Sequence, residues 1–243
     1  MNQSVNQTMR AGLDHLQDAV ADLTAEIKPK LRGWLHLATA PLTLAAGIVL
    51  IALSPDDTTR IGSAAFTGTA LILFTVSAIY HTGTWSPRTW AFLRRFDHAN
   101  IFVLIAGTYT PYALLFLDGS ARTTLLLVVW IAAVAGVFFR VFWTDAPRWL
   151  YTPMYIALGW AAVFFIPQFM EGADRFSSGI AVATLVLVAV GGVLYTLGGV
   201  VYGLKRPNPS PRWFGFHEVF HSFTILAFAA HYVGVSLATY SLR

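Results

Sequence analysis

His217-Glu218-Val219-Phe220-His221 leads through Ser222 into Phe223-Thr224-Ile225-Leu226-Ala227-Phe228-Ala229-Ala230, within an apolar segment that runs from 222 to 237. Two histidines four residues apart lie on one face of a helix, about 40° apart around it and about 6 Å along its axis. That spacing offers two imidazoles to one metal ion. Read literally, the five residues also spell H-E-x-x-H, the zinc metalloprotease signature, with Glu218 as general base. The apolar continuation argues against a soluble cleft and for a membrane span. The plain alternative is a pair of polar residues capping a membrane helix at its interface. A metal needs more ligands than one helix turn supplies, so the remaining donors must come from elsewhere in the chain.

Composition sets the class. Of 243 residues, 56% are hydrophobic and 12% charged, with a mean hydropathy of +0.60. A soluble domain carries roughly a quarter charged residues. The expectation is therefore an all-α polytopic membrane protein. Cysteine is absent, which excludes disulfides and thiolate ligands and leaves a metal only nitrogen and oxygen donors. The net charge of +4 is read as loop charge that sets orientation, and no nucleic-acid partner is implied.

A bilayer needs about 20 predominantly apolar residues per helix. Seven stretches qualify, at about 34–53, 62–81, 98–117, 122–142, 149–168, 178–204 and 217–239. Before them, residues 1 to about 8 are polar and expected to be disordered. Leu13, Leu16, Val20, Leu23 and Ile27 then alternate spacings of three and four, beside an acidic stripe of Asp14, Asp18, Asp22 and Glu26. This predicts a surface helix with a solvated acidic face, stopped by Pro29. No signal peptide is read there, because Met1 to Lys28 has no apolar core. The chain thus divides into a cytoplasmic segment, 1–30, and a seven-span domain, 31–243. Gly199-Val-Val-Tyr-Gly203 predicts close helix packing, and Pro111 and Pro41 predict bends in the third and first spans.

Basic residues orient the bundle. Lys28, Lys30 and Arg32 precede the first span; Arg88, Arg94 and Arg95 lie between the second and third; Arg140 and Arg148 between the fourth and fifth; Lys205, Arg206 and Arg212 between the sixth and seventh. The other side carries Arg60, Arg122, Arg175 and Arg243. The positive-inside rule places the N-terminus in the cytoplasm and the C-terminus outside.

With orientation set, polar residues acquire a depth. His81 closes the second span, with Ser77 one turn deeper on the same face. Asp97 opens the third span, and His217 and His221 open the seventh. Three helices thus bring these residues to one level near the cytoplasmic face. Ionisable groups at membrane depth are costly and default to functional candidates. Taken singly, each has a plainer reading: Asp97 as a partner of Arg94 or Arg95, Ser77 as a hydroxyl bonded back to its own helix, His81 as an interfacial histidine. Their shared depth favours a shared site. Three histidines are a known zinc set that leaves a fourth position to water, and a neighbouring carboxylate can hold that water or take its proton.

Ser77-x-x-x-His81, Asp97-His98-x-x-Ile101 with Ile105-Ala-Gly-Thr-Tyr-Thr-Pro111, and His217-Glu-x-Phe-His221-Ser222 resemble the hemolysin III family, bacterial relatives of the progestin and adipoQ receptors. Lys28-Pro-Lys-Leu-Arg-Gly-Trp-Leu-His36 resembles the start of that family's first span. The resemblance covers nearly all of the chain beyond the N-terminal helix. It implies a seven-helix fold with zinc held by His81, His217 and His221, Asp97 bonded to the zinc-bound water, and Ser77 close by. The wider superfamily includes alkaline ceramidases, and adiponectin receptors are thought to share amide-hydrolase chemistry. Those receptors offer no counterpart for the acidic N-terminal helix, so receptor-type partner binding is not carried over.

The other histidines separate by geometry. His231 shares a face with His217 but lies about 15 Å along the helix from His221, too far for a common metal, and is read as a hydrogen-bonded packing residue. His98 points about 100° away from Asp97, outside the ligand set. His36 has the right depth to line the site, His15 is solvated, and Glu218 turns away from the two-histidine face. The leading functional expectation is a zinc-dependent hydrolase of membrane lipid amides or esters in the bacterial inner membrane. A non-catalytic regulator with structural zinc is the alternative, and a pore-forming cytolysin ranks last for want of a polar pore-lining stripe. Substrate and oligomeric state are open at this level.

Overall fold

The computed structural model describes residues 29–143 and 145–243. The predicted amphipathic helix, and with it nearly all of segment 1–30, lies outside the described residues. Those described are helical apart from short connections: α1 Trp34–Ala52, α2 Asp57–Thr82, α3 Pro87–Phe116, α4 Gly119–Phe142, α5 Arg148–Gly159, a 3-10 segment Ala161–Phe165, α6 Ile166–Ala173, α7 Ser178–Leu204 and α8 Phe216–Tyr240. Seven stretches among them are long and apolar enough to cross a membrane, with α5 to α6 counting as one.

Local chemistry starts and stops these helices. Asp56 accepts from the Thr59 N–H at 2.8 Å, and Thr59 answers with a bond from the Asp56 N–H, a capping box that fixes the start of α2. Ser86 caps α3 through the Thr89 N–H, with Pro87 in the first turn, where its missing N–H costs nothing. That start lies eleven residues before the predicted 98. The expectation that Asp97 opens the third span is therefore corrected. Arg88, Arg94 and Arg95 read as loop, but they extend α3, and Asp97 arrives about three turns into the helix.

Packing puts α3 at the centre. In its most apolar window 83% of residues are buried, against 17–56% in the other six spans. It packs against α2, α4, α5, α6 and α8, while α7 joins α8 and α5, and α8 returns to α1. Gly199 and Gly203 of the G-x-x-x-G set face Thr152 and Ile156 of α5, so the small surface serves an intramolecular seam. Outward positions such as Phe142, Phe164 and Trp149 are strongly exposed apolar side chains, as a lipid-facing belt requires.

The fifth span departs from the single helix predicted at 149–168. It breaks after Gly159, passes through the 3-10 segment and resumes at Ile166. Pro167 sits in the first turn of α6 and can donate no bond to the preceding turn. The freed backbone is answered from α3: the Tyr109 hydroxyl donates to the Gly159 carbonyl at 2.6 Å and accepts from the Ala162 N–H at 3.1 Å. Backbone left open inside a bilayer survives only where protein completes it. By contrast, α3 continues through Pro111 and α1 through Pro41 as unbroken helices.

Candidate metal centre

At the basic end of the bundle, His81 of α2 meets His217 and His221 of α8. One ring nitrogen from each lies within 4.8 Å of the other two. The Nε2 atoms of His81 and His217 are 3.2 Å apart. That separation also fits one edge of a tetrahedral site, since metal–nitrogen bonds of about 2.0–2.1 Å separate tetrahedral ligands by about 3.3 Å. His81 and His221 are buried, as is the cluster as a whole. Buried imidazole nitrogens facing one another form a donor set suited to a borderline cation. The residues fit a metal ion.

A carboxylate lies on the inner side of the cluster. Asp97 Oδ2 is 3.6 Å from His81 Nε2, the same nitrogen that faces His217. It thus addresses the centre of the cluster rather than the outer nitrogen of a ligand. Of the two arginines in the plain salt-bridge reading, Arg94 reaches Asp145 instead, at 3.4 Å. Ser77 is fully buried, its hydroxyl has no hydrogen-bond partner, and it lines a cavity together with Asp97, His217 and His221. It is not bonded back to its own helix.

Several features aim the ligands. Gly33, at φ +87°, turns the chain into α1 where a Cβ would come within 2.7 Å of the His81 Cβ; only glycine accepts both that φ and that approach. The segment before α1 bonds to the segment before α8 through Lys30 N–H to the Arg212 carbonyl and Leu31 N–H to the Trp213 carbonyl. The Arg32 Nε then donates to the Glu218 carboxylate, which also accepts from the Gly215 N–H at 2.8 Å. Glu218, invisible to solvent, is therefore an anchor that fixes the first turn of α8 between its two histidines. The sequence placed it off the histidine face but did not find its partner, because Arg32 is 186 residues away.

His36 lines the site, as its depth suggested: its ring stacks on His221 with centroids 3.8 Å apart, and both its nitrogens are buried without partners. His98 is held outside the cluster. Its Nδ1 pairs with the Arg94 carbonyl at 2.6 Å, which assigns the proton to Nδ1 and leaves Nε2 to accept from the Tyr202 hydroxyl at 3.1 Å. Tyr202, whose ring packs edge-on to His217, was not found from sequence, where it is one more aromatic in the glycine-rich seventh helix.

From the cluster a cavity of about 130 Å³ runs into the bundle between α3, α5, α7 and α8, its wall mostly apolar in area, with Leu73, Ile101, Leu104, Ile105, Ile156 and Val188 set among tyrosine, threonine and histidine side chains. A seven-span helical membrane protein, with a cluster of three histidines able to hold a metal ion at one end of an internal cavity, is the class so defined. Residues 24–232 match the family described as Haemolysin-III related, and the chain belongs to that family. It is 32% identical over 160 residues to the Hemolysin-3 homolog of Bacillus subtilis (strain 168), covering 66% of this chain and 68% of that protein. It is 30% identical over 170 residues to Hemolysin-3 of Bacillus cereus, covering 69% and 74%. An adiponectin receptor protein of Drosophila melanogaster is 27% identical over 185 residues, which span 69% of this chain and 40% of the receptor.

Proposed function

We propose that this protein is a zinc-dependent hydrolase of membrane lipid amides or esters, ceramidase-like in its chemistry and seated in the bacterial inner membrane. One observation carries the reading: of three converging imidazoles, His217 and His221 open into the same cavity as the Asp97 carboxylate and the unpartnered Ser77 hydroxyl, with His81 closing the cluster behind them. A set of nitrogen and oxygen donors without thiolates suits zinc. Zinc bound there supplies a water of lowered pKa and polarises a carbonyl.

The chain's own residues do the rest. The apolar walls take the acyl chain and exclude bulk water, so the scissile carbonyl stops beside the histidines. Asp97 accepts the proton of the attacking water and returns it to the departing nitrogen or oxygen, which balances hydrolysis to a fatty acid and an amine or alcohol. Ser77, with no other partner, donates to the carbonyl oxygen or orients the water. His36 walls the site beside His221.

The test is a panel of ceramides and related lipids in detergent, assayed with zinc-loaded wild type, a zinc-stripped sample and Asp97→Asn. The Asn side chain is nearly isosteric and can still hydrogen-bond water, so metal should stay while turnover falls by a factor of about 10² to 10⁴. Hydrolysis that survives both chelation and Asp97→Asn overturns the reading. Zinc-loaded wild type that turns over no member of the panel favours structural zinc in a non-catalytic regulator.

A further inference from the structure

The cavity has two polar ends, and the chemistry above uses one. Ten residues beyond His221, about 15 Å along α8, His231 lines the same cavity, with Tyr112, Tyr195 and Thr108 beside it. The expected packing role accounts for only part of what surrounds this histidine. The Tyr112 hydroxyl donates to the His231 carbonyl at 3.0 Å and lies 3.4 Å from Nδ1. The Tyr195 ring stacks on the imidazole, centroids 5.7 Å apart and planes 20° apart. Its hydroxyl is buried with no hydrogen-bond partner within normal distance; Thr108 beside it donates its own proton to the Leu104 carbonyl and so has only an acceptor oxygen to offer, which leaves the Tyr195 oxygen without a donor.

Room for the imidazole is built in. A Cβ on Gly191 would collide with His231 Nε2, so α7 admits the ring only because residue 191 has no side chain. A histidine and two tyrosines in the depth of a bundle are expensive unless their polar atoms are paired. An orphan hydroxyl on a cavity wall, within an otherwise used polar cluster, is the place where a ligand atom supplies the missing partner.

We propose that His231, Tyr112 and Tyr195 form a second recognition site, specific for an oxygen function, hydroxyl or keto, carried on the acyl chain far from the metal. An extended zigzag of C–C bonds of about 1.5 Å advances about 1.25 Å per carbon, so the roughly 15 Å between the two ends corresponds to about a dozen carbons. The ligand class is therefore a fatty acyl chain oxygenated near its middle, its head at the histidine cluster and its mid-chain oxygen at Tyr195. The inference rests on the lipid reading of the cavity but not on turnover.

The experiment measures binding of two probes, octadecanoate and 12-hydroxyoctadecanoate, to the zinc-loaded full chain by titration calorimetry in detergent. Wild type should bind the hydroxylated chain about tenfold more tightly, the worth of one or two buried neutral hydrogen bonds. Tyr195→Phe, which removes a single oxygen, should abolish that preference while leaving octadecanoate affinity unchanged. His231→Leu should do the same, and if it does not fold, Tyr195→Phe decides alone. Equal affinity for the two chains in wild type means that the niche holds water or nothing, and overturns the proposal while leaving the lipid cavity intact. A preference that persists in Tyr195→Phe also overturns it. Failure of both chains to bind wild type overturns the lipid reading itself, and this proposal with it.

Discussion

Glu218→Gln separates two incompatible uses of one residue. In the literal H-E-x-x-H reading Glu218 is the base, and its loss kills activity in a stable protein. In the structure it is an anchor: its side chain is 0% exposed and its partner Arg32 is 16% exposed. Breaking a fully buried ion pair by removing one partner costs about 3–5 kcal/mol. Arg32 keeps some access to the polar surface, which trims this to about 2–3 kcal/mol. The Gly215 N–H bond survives, since the amide oxygen of Gln can accept it. For a chain of this length each kcal/mol moves Tm by about 2–4 °C, so a drop of about 5–10 °C is expected. Zinc content should stay near that of wild type and turnover per bound zinc should change little, because the side chain points away from the cluster. The assay is a thermal melt of zinc-loaded protein in detergent, with elemental analysis and the lipid panel on the same samples. As an internal control, Arg32→Leu combined with Glu218→Leu should recover part of the loss, since it leaves no unpaired charge. A Tm within about 1 °C of wild type, or lost activity at unchanged Tm and zinc, would refute the anchor assignment.

Zinc content should fall steeply in His217→Ala and in His221→Ala, because two remaining protein ligands hold the ion poorly, whereas His231→Ala should retain it; full occupancy in His221→Ala would exclude the helix pair as the site. Tyr109→Phe leaves the Gly159 carbonyl and the Ala162 N–H open in the broken fifth span, at about 1–3 kcal/mol for each unsatisfied group, so a loss of about 2–6 kcal/mol is expected in detergent unfolding, and no measurable loss would mean that the break does not depend on this hydroxyl. A reporter active only outside the cytoplasm should be active when fused after Arg243; an inactive fusion with an active N-terminal one would invert the bundle.

Seven apolar stretches, their order and the basic bias of alternate loops were readable along the chain because each depends on residues adjacent in sequence. So was the common level of His81, His217 and His221, since helical spacing and span ends give depth. The errors share a cause. The start of α3 at Pro87 was missed because a helix that leaves the bilayer loses its apolar signature, and Arg88, Arg94 and Arg95 then look like loop. The break at Gly159 was missed because an apolar run scores the same whether it is continuous or bridged. It exists because a hydroxyl from another helix, Tyr109, completes the open backbone.

By itself, then, the sequence determined an all-helical membrane protein with a candidate ligand set at one level. Hydrophobicity, helical period and loop charge are local and additive along the chain. Tertiary structure alone decided that His81 and His217 approach to 3.2 Å, that Asp97 faces the inner side of that pair, that Arg32 clamps Glu218, and that His231 shares a cavity with His221. Each of these depends on the rotation of one helix against another. Rotation is set by which side chains interlock across the packed seams, and no single segment carries that information.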